Sequence, residues 1–224
     1  MAVRPVCIVA GVGPGIGFAV AKRFAHEGFA IALLARRQEA LNAFAAQITS
    51  SGGAARPYAV DLMDSWAIRE TVERVGAELG AASVVVYNAA GWTEGHPMSI
   101  DPKSFDRDLE LCASSALTLM QSTYPGMKAA ARGSMLFTGG GFALHPESGS
   151  NLISLVAGKS ALRGTVLALA PSLAPDGIHV AIVTVAGAVA PGTAFDPDVI
   201  ADEYWLLHCQ PSSCWQTEIV FSGK

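Results

Sequence analysis

The chain has 224 residues, 51% of them hydrophobic and 15% charged, with a net charge of −4. That balance suits one α/β domain over residues 1–224 with a large buried core, and it excludes an intrinsically disordered chain. The mild negative charge and the lack of any basic run exclude a nucleic-acid-binding surface.

The four cysteines, Cys7, Cys112, Cys209 and Cys214, match no metal-ligand spacing, so no metal site is expected. Cys7 falls in an apolar strand pattern and reads as a buried reduced thiol, which fits a cytoplasmic location. The apolar run after Arg4 holds Gly11, Gly13, Pro14, Gly15 and Gly17, which would break a signal-peptide helix. Glycine, proline or charge interrupts the longest apolar stretches, so no membrane span is expected.

"PVCIVAG" (5–11) reads as a first buried strand, and 15–27 as a helix with Ile16, Val20 and Phe24 one turn apart. A second strand follows at 29–35, a helix at 38–50, a third strand at 55–60 and a helix at 64–79. The fourth strand is "SVVVYNA" (83–89). A long helix from about 102 to 130 follows, with a candidate interruption at "YPG" (124–126). Strand five is 134–139, and a helix spans 151–174 with Pro171 expected to kink or shorten its end. Strand six (179–185), a helix (199–209) and a last strand (217–221) complete the alternation. Strands apolar on both faces, alternating with helices, imply a doubly wound parallel sheet in three layers, a Rossmann-type α/β fold.

"AGVGPGIG" (10–17) joins the first strand to the first helix. Glycines there let backbone approach a pyrophosphate and aim helix N–H groups at it; the competing reading is a plain tight turn. The spacing is G-x-x-x-G-x-G (Gly11, Gly15, Gly17), with Gly13 between. "NAAG" (Asn88, Ala89, Ala90, Gly91) follows strand four, and "VDLMD" places Asp61 and Leu62 after strand three. "AGKSALRG" then a strand and "AGAV" (186–189) close the series, keeping Gly187 and Val189. Together these motifs resemble the short-chain dehydrogenase/reductase family from about residue 5 to the end. Ala10 stands for its usual threonine, Tyr87 for the first asparagine of N-N-A-G and Ala186 for a proline.

The resemblance implies a nicotinamide dinucleotide held by Gly11, Gly13, Gly15, Ile16, Gly17, Asp61, Leu62, Asn88, Ala89, Gly91, Thr138, Lys159, Gly187 and Val189. The end of strand two decides which one. "LLARR" offers Ala35, Arg36 and Arg37 where an acidic residue would bond the 2′-hydroxyl of NAD(H). Two guanidiniums suit a 2′-phosphate, so NADP(H) is expected over NAD(H), although Arg37 also reads as a solvated surface charge.

The reaction half departs from the family. Its tyrosine, four residues before the lysine, is Leu155; its serine falls at Gly140 in "FTGGG"; its asparagine falls at Cys112. Lys159 is retained. Leu152, seven before the lysine, also carries no hydroxyl. His145 is the candidate replacement proton donor, against the reading of an exposed loop histidine; Cys112, against a core thiol, Thr138, against a plain strand end, and His96 are further candidates for the altered site. The short "APGTAFDPD" segment (190–198) leaves little to cover the substrate. The expected function is an NADP(H)-dependent oxidoreductase of a small carbonyl or alcohol with a degenerate proton-transfer site. Its rival is a catalytically silent NADP(H)-binding sensor or assembly protein. By resemblance the chain forms a homodimer or homotetramer; no nucleic acid or membrane partner is expected, and the sequence does not name the substrate.

Overall fold

Seven apolar runs become the strands of one parallel sheet, ordered β3-β2-β1-β4-β5-β6-β7. The computed structural model describes residues 4–224; residues 1–3 lie outside the described part. The strands are β1 (Val6–Ala10), β2 (Ala30–Ala35), β3 (Ala54–Ala59), β4 (Ala82–Tyr87), β5 (Gly133–Gly140), β6 (Ile178–Val185) and β7 (Glu218–Phe221). The principal helices are α1 (Ile16–His26), α2 (Gln38–Ser50), α3 (Ser65–Leu79), α4 (Pro102–Leu109), α5 (Ser115–Ala129), α6 (Ile153–Leu173) and α7 (Pro197–Cys209).

Strand alternation sorts side chains between two cores. Along β1, Cys7 and Val9 pack with Phe24, Leu41 and Tyr204 on one face. Val6, Ile8 and Ala10 pack with Ile68, Leu119 and Leu162 on the other. Thus α1, α2 and α7 cover one side and α3, α5 and α6 the other, giving three layers. The sheet grows outward from β1 to β3, then returns through α3 to place β4 on the other side of β1. That reversal opens a crevice beyond the carboxyl ends of β1 and β4, where α/β sheets bind ligands.

One expectation is corrected. The long helix after β4 is broken at Glu110–Ser114 by a π-helical turn, and α5 runs through Pro125 to Ala129. The break has a tertiary cause. Tyr87 donates its hydroxyl to the Leu111 carbonyl at 2.5 Å, and a Cβ on Gly158 of α6 would stand 2.6 Å from that of Cys112. A π-turn widens the helix to accept both contacts. Pro171 lies inside α6, which ends two residues later at Leu173 and passes into a 3-10 turn at Ala174–Asp176; the ring removes one i→i−4 hydrogen bond near the helix end, in keeping with an end that is shortened there.

Helix α6 carries the site's lysine. By length and mean hydropathy it is apolar enough to cross a membrane, despite Lys159 and Arg163. In this fold its Leu162, Val166 and Ala170 form a buried stripe against the sheet, each large side chain contributing about 1.5–3 kcal/mol.

Candidate functional site

Two adjoining cavities occupy the crevice. The first, about 830 Å³, is lined by Gly11, Gly13, Gly15, Ile16, Gly17, Arg36, Arg37, Asp61, Leu62, Asn88, Ala89 and Val189 among others. The second, about 630 Å³, is lined by Asn88, Thr138, Gly140, His145, Leu155, Lys159, Gly187 and Val189, with Phe142, Ser148 and Ala186. Gly91 and Cys112 line neither. Gly91 lies against Asp108, whose Oδ1 a Cβ would approach to 2.8 Å. Cys112 is buried with its thiol 3.6 Å from the Gly91 carbonyl, while its neighbour Leu111 reaches the first cavity.

The glycine loop is shaped by sterics. Gly11 has φ +86° and packs so closely on the Ala89 amide that no side chain fits. Its N–H and that of Val12 both donate to the Leu34 carbonyl, at 2.9 and 3.1 Å, tying the loop to β2. A Cβ on Gly17 would stand 2.7 Å from the Gly11 carbonyl, so α1 can press against the loop only with glycine there. Gly13 and Gly15 face open space. No side chain caps α1; the Phe18 N–H donates to the Gly13 carbonyl at 3.1 Å, which leaves the N–H groups of Ile16 and Gly17 without a side-chain cap at the cavity edge. A bare backbone cradle and a helix N-terminus without a side-chain cap fit the phosphates of a dinucleotide, with two arginines at the far wall.

A polar chain stiffens the boundary between the cavities. Tyr204 of α7 donates to Thr138 Oγ1 at 2.7 Å, Thr138 donates to Asn88 Oδ1 at 2.8 Å, and Asn88 Nδ2 donates to the Gly11 carbonyl at 2.9 Å. Burial pushes the Tyr204 phenol well above its ordinary range, which keeps it a donor. The sequence gives no sign of this link, since Tyr204 and Thr138 lie 66 residues apart. Trp92 was also missed: it is 59% exposed yet lines both cavities. Its backbone is held because Thr93 N donates to Ser154 Oγ at 3.0 Å, and the Thr93 and Ser154 hydroxyls donate to the buried Asp108, at 2.7 and 2.9 Å.

Lys159 is 6% exposed and has one protein partner, the Thr138 carbonyl, 2.7 Å from Nζ. Its alkyl chain runs beside Gly140, where a Cβ would stand 3.4 Å from the lysine Cγ. Burial holds its pKa below the usual lysine value, opposed in part by the Cys112 thiol. Half-buried Leu155, one turn earlier, adds an apolar wall. His145 reaches the same cavity from the loop, its side chain 70% exposed and Nδ1 3.6 Å from Glu147 Oε1. His96 lines neither cavity; its Nδ1 accepts from Met98 N at 3.3 Å. The short segment after Val189 folds back on the sheet: Phe195 lies against Gly187 and stacks edge-on with Phe221, ring centres 5.7 Å apart.

The short chain dehydrogenase family model matches residues 5–198. A short chain dehydrogenase of Pseudocercospora fijiensis is 39% identical over 99 residues, 44% of this chain and 32% of that relative; the match thus spans about a third of the relative's length. A metagenomic short-chain oxidoreductase in complex with NADP is 28% identical, with a TM-score of 0.84 over 96% of each chain. An NADPH-bound short chain oxidoreductase from Pseudomonas aeruginosa PAO1 containing an atypical catalytic center has a TM-score of 0.88 at 21% identity, over 96% of this chain and 94% of that one. That last likeness is one of fold.

Proposed function

Because the chain belongs to the short-chain dehydrogenase family, we propose that it binds NADP(H) in the glycine-lined cavity and acts on a small carbonyl or alcohol in the apolar cavity beside it. The glycine loop and the first turn of α1 take the pyrophosphate, Asp61 and Leu62 flank the adenine, and Lys159 bonds the nicotinamide ribose. Arg36 and Arg37 take the 2′-phosphate. Bound, the cofactor supplies or accepts a hydride.

The observation that carries this reading is the wall of the first cavity at the end of β2. The β2 end brings Ala35, Arg36 and Arg37 to the wall and no carboxylate of its own; Asp61 enters from the end of β3. An acidic side chain there would favour a ribose hydroxyl and repel a phosphate, whereas a guanidinium fork matches a phosphate dianion. Titration with NADPH and with NADH, read by nicotinamide fluorescence, tests it. Binding of NADPH at least ten times tighter is expected; equal affinities would overturn the phosphate assignment.

A second reading, a silent NADP(H)-binding sensor, is favoured by Leu155 and Gly140, which offer no hydroxyl where the family carries phenol and alcohol. A positioned acid contributes about 10²–10⁴ in rate and a polarising donor about 10²–10³. Hydride transfer from bound NADPH to an activated ketone separates the two readings.

A further inference from the structure

Few groups in the second cavity have a proton to give. The Thr138 hydroxyl is engaged with Asn88 and Tyr204. Ser148 donates to the His145 carbonyl at 2.7 Å. The Asn88 amide donates to Gly11. His145 sits on an exposed loop beside Glu147. Leu155, Phe142, Val185 and Ala186 carry no side-chain donor. An ammonium has three N–H donors, and Lys159 uses one, on Thr138.

Among the described residues no carboxylate pairs with that ammonium. Asp108 of α4 is engaged by Thr93 and Ser154. The π-turn places the Cys112 thiol near it, the loop before α6 brings His145 to the cavity wall with Glu147 outside that wall, and α7 touches Thr138 through Tyr204. A buried cation with one carbonyl partner is costly unless a ligand completes its shell. Gly140 lies beside the lysine chain, where a Cβ would meet Lys159 Cγ at 3.4 Å, an ordinary contact; the glycine adds no hydroxyl to compete for the substrate oxygen.

We infer that Lys159 is itself the proton donor to the substrate, its ammonium hydrogen-bonding the carbonyl oxygen directly in the space walled by Leu155. This rests on the oxidoreductase reading. Of the three N–H groups, one holds Thr138, one remains for the cofactor ribose and one for the substrate. The carbonyl carbon gains a C–H bond by accepting the hydride of the reduced nicotinamide, and the C=O π pair moves to oxygen. The oxygen gains its proton as the Nζ–H bond breaks, and the neutral amine is reprotonated by water at the cavity mouth. The fitting substrate is an uncharged ketone or aldehyde with apolar flanks, because the wall offers no second cation. Burial lowers the lysine toward the range where proton donation is efficient.

Ethyl benzoylformate, an activated keto ester, is the probe, read in single turnover by loss of nicotinamide fluorescence at saturating NADPH. Lys159→Ala is expected to slow reduction at least about 100-fold. Ammonium, methylamine and ethylamine should restore at least about tenfold, with a rate that varies with amine pKa. In the wild type, ¹³C-lysine NMR of the NADPH complex should place the Lys159 titration at the same pH as the alkaline fall in rate. Reduction by Lys159→Ala within about fivefold of wild type, or a rescue independent of amine pKa, overturns the proposal. So does a rate limb away from the lysine titration. Wild type that binds NADPH but leaves the ester unreduced overturns it while sparing the cofactor assignment. Wild type that binds no nucleotide overturns both.

Discussion

The two cavities share Ile16, Asn88, Ala90, Trp92 and Val189 as a common wall, yet they are built from different materials. The first is largely a glycine loop, in which Gly11 and Gly17 are required by contacts below 3 Å while Gly13 and Gly15 face open space, with two arginines at the rim. The second is apolar side chain around one ammonium. Backbone recognition is locked to the fold, because a Cβ at Gly11 or Gly17 would displace Ala89 or the loop itself. Side-chain chemistry is not locked in this way. A leucine at position 155 and a glycine at 140 pack without disturbing the strands around them. One half of the crevice can therefore keep its ligand logic while the other changes its reaction.

The most severe break of that contrast is Gly11→Val. A β-branched residue at φ +86° is strained by about 1–3 kcal/mol, and overpacking against Ala89 adds a similar amount. NADPH affinity is expected to fall more than about 100-fold, and the unfolding midpoint by several degrees. An unchanged affinity would show that the loop does not carry the nucleotide. Next in size is Arg36→Glu, which leaves the loop intact. It should weaken NADPH binding by about 10–100-fold and NADH binding by less than about threefold, by replacing a phosphate partner with a repelling carboxylate. Equal weakening would place the arginine outside the 2′ subsite.

Helix α6 repeats the contrast on a smaller scale. Arg163, one turn beyond Lys159, makes two hydrogen bonds to Glu218 of β7, at 2.8 and 2.7 Å, and Thr184 donates to the same carboxylate at 2.6 Å. The guanidinium holds Glu218 below the usual carboxylate range. That pair serves the scaffold, tying α6 to the sheet edge; Lys159 has no such partner. Arg163→Met should therefore destabilise by about 1–2 kcal/mol, the partly exposed end of the buried-pair range, and lower the midpoint by a few degrees. Lys159→Met should leave the ligand-free protein as stable as before or more so, since it removes a lone buried charge. Urea denaturation of both variants checks the difference. A large loss in Lys159→Met would mean that the lysine is a structural strut.

The sheet was legible because its strands are apolar on both faces and its helices keep one buried stripe; α2 occupies residues 38–50, the span its pattern of Leu41, Ala45 and Ile48 implies. The first cavity was legible for a related reason: glycine spacing reports a local backbone requirement, and the cradle is local. What depended on contacts distant in sequence was not. The π-turn is set by Tyr87 reaching Leu111 across 24 residues, so proline at 125 misdirected the reading. Cys112 lies in the π-turn, its thiol 3.6 Å from the Gly91 carbonyl, and lines neither cavity. Trp92 is visible as a letter, but its place between two cavities depends on the Asp108–Ser154–Thr93 anchor. The isolation of Lys159 was readable from its apolar neighbours; its single hydrogen bond, to the Thr138 carbonyl of β5, was not.

The smallest expected effect sharpens the comparison by removing a confounder. His208 lies at the amino end of β5, where Nδ1 meets Ser134 Oγ at 2.9 Å and the ring packs among Phe24, Phe29 and Trp205. Burial, then the nearby Arg132 and His179 charges, lowers its pKa from 6.5 to about 4. The unfolded chain binds this proton first. The stabilising contribution is thus complete above pH 6.5 and is lost as pH falls from there through about 4. The full shift corresponds to about 3 kcal/mol, and partial solvent contact reduces the expected loss to about 1 kcal/mol between pH 7 and 4.5. His208→Gln, which can keep a hydrogen bond to Ser134, should lose about that much less stability than wild type over the same interval, as measured by urea titration at both pH values. Both cavities lie at the opposite, carboxyl end of the strands. A fall in NADPH affinity below pH 6.5 that persists in His208→Gln therefore belongs to the crevice, and one that disappears with the histidine belongs to the scaffold.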